Sequence, residues 1–144
     1  MDLLADLEAR QLIHDSTDRD ALRARLAEGP VGIYYGCDPT ADSLHTGNLI
    51  GLLVLRRFRE AGHRAIALAG GATGMVGDPS GRSDERNLLD DATLDHNVAA
   101  IKAQIAGIVG TGDSDDAVLV DNRDWTGPVT LPRSSCATWA STSP

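Results

Sequence analysis

Three short aliphatic runs, residues 31–35, 64–69 and 117–120, alternate with two long segments of helical periodicity. The first segment extends from about Thr46 to Glu60 and contains Leu49-Ile50-Gly51-Leu52-Leu53-Val54-Leu55, apolar nearly all round. That pattern predicts a helix covered on several sides. The second follows Asp90-Asp91 and repeats Leu94, Val98, Ile101, Ile105, Ile108 and Val109, one apolar stripe ended by Gly110-Thr111-Gly112. Strand, helix, strand, helix, strand is the order of one mononucleotide-binding half of a doubly wound sheet. The expected fold is α/β, Rossmann-like, with three parallel strands and covering helices. Right-handed crossovers would bring the loops after the first two strands to one carboxyl edge.

Ahead of the first strand, Leu3, Leu4 and Leu7 have helical spacing, continued by Leu12 and Ile13. Ser16-Thr17-Asp18 can cap a second helix, Arg19–Glu28, with Leu22 and Leu26 one turn apart and Gly29-Pro30 as its stop. The expected division is a helical segment over residues 1–29, a partial Rossmann-like body over 30–131 and a tail over 132–144. The tail has neither helical nor strand periodicity.

The chain has 144 residues, 42% of them hydrophobic, but only 3% aromatic, so its core must rely on aliphatic side chains and alanine. A formal net charge of -8 argues against non-specific binding of duplex nucleic acid, which requires a basic footprint. Cys37 and Cys136 supply neither metal spacing nor a disulfide framework, which favours a reducing compartment. The acidic, amphipathic start does not read as a secretory signal, and no run approaches the roughly 18 apolar residues of a membrane span. The expected location is the cytoplasm, with no membrane partner.

Two polar loops follow the first two strands and hold most of the chemistry. In the first, Thr40, His45 and Asn48 precede or open a helix, where backbone N–H groups and the positive helix end favour phosphate. A hydroxyl, an imidazole and an amide there can hydrogen-bond phosphoryl oxygens as charge builds on them. His45 and Asn48, three apart, can face one point. The alternative is that Thr40 and His45 only cap the helix. Asp38 and Asp78, one in each loop, can hold an ammonium group or a ribose hydroxyl, or simply form turns. Arg82 and Arg86, in Gly81-Arg82-Ser83-Asp84-Glu85-Arg86, can close over phosphates as mobile cations or lie on the surface. Tyr34 is either a core aromatic or a hydroxyl pointing into a pocket.

Gly70-Gly71-x-x-Gly74-x-x-Gly77 lacks the Gly-Lys-Ser/Thr of a Walker motif and the spacing of a dinucleotide fingerprint. The expectation is that its glycines let backbone approach a flat ligand. His14, His63 and His96 read as surface or helix-end residues, and no His/Cys/Asp group has metal spacing.

In long stretches the chain resembles the amino-terminal part of bacterial tyrosyl-tRNA synthetases, class I enzymes. These are Met1-Asp2-Leu3-Leu4, the run from Gly36 through Gly47, Arg56-Arg57-Phe58 through Gly62-His63-Arg64, Gly70 through Ser80, and Asn122-Arg123-Asp124-Trp125-Thr126-Gly127-Pro128. The likeness covers residues 1 to about 130. It implies the first half of a class I synthetase catalytic domain and ATP-dependent activation of tyrosine, with transfer to the 3′ end of tRNA. Magnesium would accompany ATP as substrate, with no tightly bound metal, and the complete family member would be a homodimer. It further implies that Tyr34 meets the substrate phenol and Asp78 its ammonium group. Gly36, Asp38 and Gly47 would belong to the ATP pocket. Thr40 and His45 would stabilise the phosphates, and Arg82 and Arg86 would grip pyrophosphate.

Two positions depart from the family pattern. The signature His-x-Gly-His reads here His45-Thr46-Gly47-Asn48; asparagine donates a hydrogen bond but carries no charge, which leaves activation weakened or altered. Arg82 stands where lysine is common, keeping the charge but changing its reach. The second signature, the rest of the sheet, the tRNA-binding regions and much of the dimer interface lie beyond this sequence.

The tail admits a coding explanation. Codons for Leu-Arg-Asp-Val-Gly-Lys-His-Phe-Ser, similar to the family's next segment, read one base out as Ser135-Cys136-Ala137-Thr138-Trp139-Ala140-Ser141-Thr142-Ser143. The expectation is a frameshifted, prematurely ended reading frame whose product is inactive or poorly folded alone. A standalone nucleotide-binding module and a non-catalytic interaction fragment are the other two classes the sequence leaves open.

Overall fold

The computed structural model describes residues 2–73, 90–112 and 115–128. In chain order it places α1 (Leu3–Ala9), α2 (Arg19–Glu28), β1 (Gly32–Cys37), α3 (Thr46–Glu60), β2 (Arg64–Ala69), α4 (Asp91–Val109), β3 (Ala117–Asp121) and a single turn, α5 (Arg123–Thr126). Asp78, Arg82, Arg86 and the tail over 132–144 lie outside the described residues.

Helix starts follow the acidic caps. Asp2 accepts from the N–H groups of Leu4 and Ala5, Asp18 from Ala21, and Asp90 from Thr93. Each satisfies donors that the first turn leaves unpaired. The stops are equally local. Beyond α3, Gly62 takes a φ of 91° while its N–H reaches Arg59 and that of His63 reaches Phe58. This pair of bonds turns the chain directly into β2. Gln11 does the same after α1 with a φ of 58°, its N–H on Glu8 and that of Leu12 on Leu7. The helix therefore ends at Ala9 and does not continue through Leu12 and Ile13, as their spacing had suggested.

The strands form one parallel sheet in the order β1-β2-β3, with Tyr34 opposite Ile66 and Ile66 opposite Val118. Period-two alternation divides it into two faces. Ile33, Tyr35, Cys37, Ala65, Ala67, Ala69, Ala117, Leu119 and Asp121 share one face. Leu52 and Leu55 of α3 and Ile105 and Val109 of α4 pack against its apolar members. Both crossover helices thus lie on the same side. The other face carries Tyr34, Ile66, Leu68, Val118 and Val120, and Tyr34 is 73% exposed.

One-sided coverage corrects the expectation for α3. Leu52, Leu55 and Phe58 are buried, but Leu49, Ile50 and Leu53 are exposed, so the helix is not covered on several sides. Of the two readings of His63, surface or helix end, the structure gives the second: it lies buried at the exit of α3, its ring tilted against Phe58, and its Nδ1 accepts from Val31 N–H at 3.4 Å. At the same end α1 packs on α3 through buried Leu4 and Leu7, and Arg57 donates to Asp6 at 2.6 Å. Among the described residues no helix is long and apolar enough to cross a membrane.

Candidate functional site

Because β1, β2 and β3 are parallel, the chain leaves all three at one edge, and the loops there are joined. Gly70 N–H donates to the carbonyl of Cys37 at 2.9 Å, and the Thr73 hydroxyl donates to Asp38 Oδ1 at 2.7 Å. Ala72 N–H donates to Asn122 Oδ1 at 2.7 Å, bringing in the turn after β3. The approach is close at two glycines, where an added side chain would displace a neighbouring carboxylate. A Cβ on Gly70 would lie 2.2 Å from Asp38 Oδ1, and one on Gly71 would lie 2.4 Å from Asp121 Oδ1.

His45 is the N-cap of α3, and its Nδ1 accepts from Gly47 N–H at 3.0 Å. The ring folds so closely over the first turn that a Cβ on Gly47 would meet Cε1 at 2.8 Å. With Nδ1 engaged as acceptor, the neutral ring carries its hydrogen on Nε2, a donor directed away from the helix backbone. Capping and donation are therefore compatible roles for one imidazole.

Thr40 is exposed between Asp38 and His45, and Asp38 is likewise exposed. Tyr34 and Gly36 stand on the open face of β1. Asn48 is drawn elsewhere: its Oδ1 accepts from the Tyr35 hydroxyl at 3.3 Å, toward the helix-covered face of the sheet. The structure thus gathers Asp38, Thr40, His45 and Gly47 around one loop and helix start, with Asn48 tied to the strand beneath. Asp78, Arg82 and Arg86 lie outside the described residues.

Burial pushes the Tyr35 phenol above its ordinary value. Burial, followed by the neighbouring charge of Asp38, pushes the Cys37 thiol up to about 11. Cys37 is thus a packed, unreactive thiol rather than a nucleophile.

Asp121 is buried at the carboxyl end of β3. Burial by itself would raise its pKa, but the Arg123 N–H and the Lys102 ammonium more than offset this and hold the carboxyl below the ordinary aspartate range. A carboxylate depressed on folding adds stability above its unfolded pKa and loses it as pH falls through the folded value. Lys102→Met should raise the folded pKa toward or past the unfolded value. The onset of acid destabilisation, set by the unfolded pKa, does not move, and the variant has less stability to lose below it. With Lys102 34% exposed, the expected cost near neutrality is about 1 kcal/mol. Denaturation midpoints of the two chains, followed from neutral pH downward, should converge once Asp121 is protonated. Parallel curves would assign the loss to something other than this pair.

Sequence reasoning missed Thr73, Asn97, Gln104 and Asn122. Asn97 left a signal: a buried polar residue three after Leu94 and four before Ile101, on the apolar stripe itself. The others bond to residues far along the chain and have no local pattern. Among the described residues no group of three or more His, Cys, Asp or Glu is placed to hold a metal ion.

Comparison with known proteins places this edge in context. The sequence model of the class I tRNA synthetases (W and Y) matches residues 26–132. The tyrosine–tRNA ligase of Opitutus terrae is 56% identical over 132 residues, 91% of this chain and 31% of that protein. The corresponding ligase of Bacillus caldotenax is 51% identical over 130 residues, 90% of this chain and again 31% of the relative. Among solved structures, a C-terminally truncated mitochondrial tyrosyl-tRNA synthetase from Aspergillus nidulans has a TM-score of 0.74 at 34% identity, covering 90% of this chain and 40% of that one. The Coccidioides posadasii counterpart has a TM-score of 0.74 at 30% identity, covering 91% and 38%. The chain therefore spans less than one-third of the length of these curated relatives.

Proposed function

The chain belongs to the class I tRNA synthetases of the tryptophan and tyrosine group, and on that premise we propose that it carries part of the tyrosine-activating site of a tyrosine–tRNA ligase. In this reaction a tyrosine carboxylate oxygen attacks the α-phosphorus of ATP and pyrophosphate leaves. The resulting tyrosyl-adenylate then yields its acyl group to the 3′ end of tRNA, releasing AMP. The chemistry forms no covalent bond to the protein, so catalysis rests on placing charge-stabilising groups around phosphorus.

The observation that carries the reading is the junction at the sheet edge. Asp38 is tied to the second loop by Thr73, and His45 is folded over Gly47 at the start of α3. In this assignment the Thr40 hydroxyl and His45 Nε2–H donate to phosphoryl oxygens, with backbone at Gly36 and Gly47 leaving room for the nucleotide. Asp38 lines the adenylate pocket. Tyr34, unencumbered by core packing, meets the phenol of the amino acid. Asp78 takes the ammonium group, and Arg82 with Arg86 takes pyrophosphate. Asn48 contributes through an amide already held by Tyr35, which limits its reach toward the nucleotide. Magnesium enters with ATP. The tRNA and a second subunit are partners of the complete ligase, which works in the cytoplasm where amino acid, nucleotide and tRNA meet.

Titrating the isotopically labelled 144-residue chain with ATP and magnesium tests the nucleotide half of this reading. Amide shifts are expected at Thr40, His45 and Gly47. His45→Ala should weaken binding by about ten- to a hundredfold, the worth of one lost hydrogen bond to a charged oxygen. The chain alone should show no tyrosine-dependent ATP–pyrophosphate exchange. Shifts confined to another surface would overturn the assignment, and measurable exchange would show that this chain suffices for activation.

A further inference from the structure

The loop over residues 38–45, which holds Thr40 and leads into His45, is fastened by two side-chain amides from α4. Asn97, 5% exposed, donates through Nδ2 to the carbonyl of Pro39 at 3.2 Å. Gln104 bonds at two points: its Oε1 accepts from Leu44 N–H at 3.1 Å, and its Nε2 donates to the carbonyl of Asp42 at 3.0 Å. Seven residues apart, Asn97 and Gln104 lie about two turns apart on one helix face. One therefore holds the entry of the loop and the other its exit. A carboxamide suits this task because it donates and accepts at once, as a peptide group does.

We propose that Gln104 and Asn97 are positioning residues that fix this loop so that Thr40 and His45 present their donors at the start of α3. The proposal rests on the nucleotide-site reading above. Gln104 acts through Leu44, the residue immediately before the His45 cap, and Leu44 also packs against the core. Losing the Gln104 bonds frees the backbone on both sides of Ser43. Losing the Asn97 bond leaves a buried carbonyl at Pro39 without that partner, so Asn97 contributes to folding as well as to position. Gln104, only half-buried, is the cleaner probe.

Two variants of the full 144-residue chain separate its two bonds. Gln104→Leu removes both. Gln104→Glu still accepts from Leu44 N–H but, as a carboxylate, does not donate to Asp42. In the leucine variant the protection of the Leu44 amide against hydrogen exchange is expected to fall about tenfold, with the Gly47 amide and His45 ring resonances shifted. In the glutamate variant Leu44 should stay protected while Asp42 and Ser43 shift. Core amides such as those of Ala67 and Ile105 should keep wild-type protection in both. ATP with magnesium should bind the leucine variant about five- to tenfold more weakly, with affinity partly restored by glutamate.

Unchanged Leu44 protection or unmoved His45 and Gly47 signals in the folded leucine variant would overturn the proposal. If that variant does not fold, the glutamate variant decides on the Asp42 bond: no shift at Asp42 or Ser43 overturns it. Failure of the wild-type chain to bind ATP would instead overturn the nucleotide-site reading. Exchange at Leu44 and the His45 resonances would then still decide whether the amides fix the loop.

Discussion

Leu52→Ala is expected to lower the stability of the chain by about 2–5 kcal/mol, the range for removing a large aliphatic side chain from a core that cannot collapse around the gap. Leu52 has no exposed surface and belongs to the cluster joining α3 to Ala65 and Ala67 of β2 and to Ile105 and Val109 of α4. Alanine at the neighbouring strand positions offers no side chain that can swing into the vacated space. Among the described residues both crossover helices pack on the same face of the sheet, so this core is built on one side only. Against the roughly 5–15 kcal/mol of an ordinary domain, such a loss takes a large fraction of what is available. Denaturant unfolding followed by circular dichroism reads it directly. Leu53→Ala, one residue along and 42% exposed, should stay within about 0.5 kcal/mol of the parent. Equal effects at the two positions would mean that α3 does not pack as described.

Gly51→Ala makes the opposite test at the preceding residue. Helix propensity alone predicts a gain of about 0.5–1 kcal/mol, because glycine is costly inside a helix. Packing predicts a loss. A Cβ at position 51 would lie 2.3 Å from Tyr35 Cζ, 2.4 Å from Cε2 and 2.7 Å from the hydroxyl oxygen. The ring is not free to yield, since it packs on the core and its hydroxyl donates to Asn48 Oδ1. Overpacking of this kind costs about 1–3 kcal/mol, enough to reverse the propensity gain. The expected result is a net loss, together with a shifted Asn48 side-chain signal as the Tyr35 hydroxyl leaves it. Tyr35→Leu in the same background should recover much of the loss. A Gly51→Ala chain more stable than its parent would show that α3 does not approach β1 this closely.

The contrast between these adjacent positions shows what was legible from the sequence. The stripe on α4 predicted Leu94, Val98, Ile101, Ile105, Ile108 and Val109 as one apolar face; five of the six are buried, and Ile108 is partly buried against the core. Acidic caps marked the starts of α2 and α4, and glycine marked the end of α3, because these signals act within a few residues. The facing of β1 was not legible. Tyr34-Tyr35 places aromatics on both faces, and pattern alone does not say which faces the helices. The structure turns Tyr35 inward and Tyr34 outward. The all-apolar run on α3 misled for a related reason: it reports what the helix could bury, not how many layers are present to bury it.

At the site, the cap was legible: the alternative reading of His45, as a helix cap, is what its bond from Gly47 N–H shows. The expected convergence of His45 and Asn48 was only half visible, because the bond from Tyr35 that turns Asn48 downward crosses from a strand to a helix. The bonds holding the loop lie further out of reach. Gln104 reaches back across 60 and 62 residues and Asn97 across 58, distances over which no local periodicity carries information.

Along the middle strand the floor beneath α3 and α4 is built from methyl groups, those of Ala65, Ala67 and Ala69. The bulk over that strand is consequently contributed from above, by leucine, isoleucine and valine on the two helices. Sequence drift at these places must be reciprocal: a larger residue in the floor is tolerated only where the ceiling loses comparable volume. The same thinness sets how far the ends of the two helices stand from the strand ends, and hence the height at which the rim above them is held.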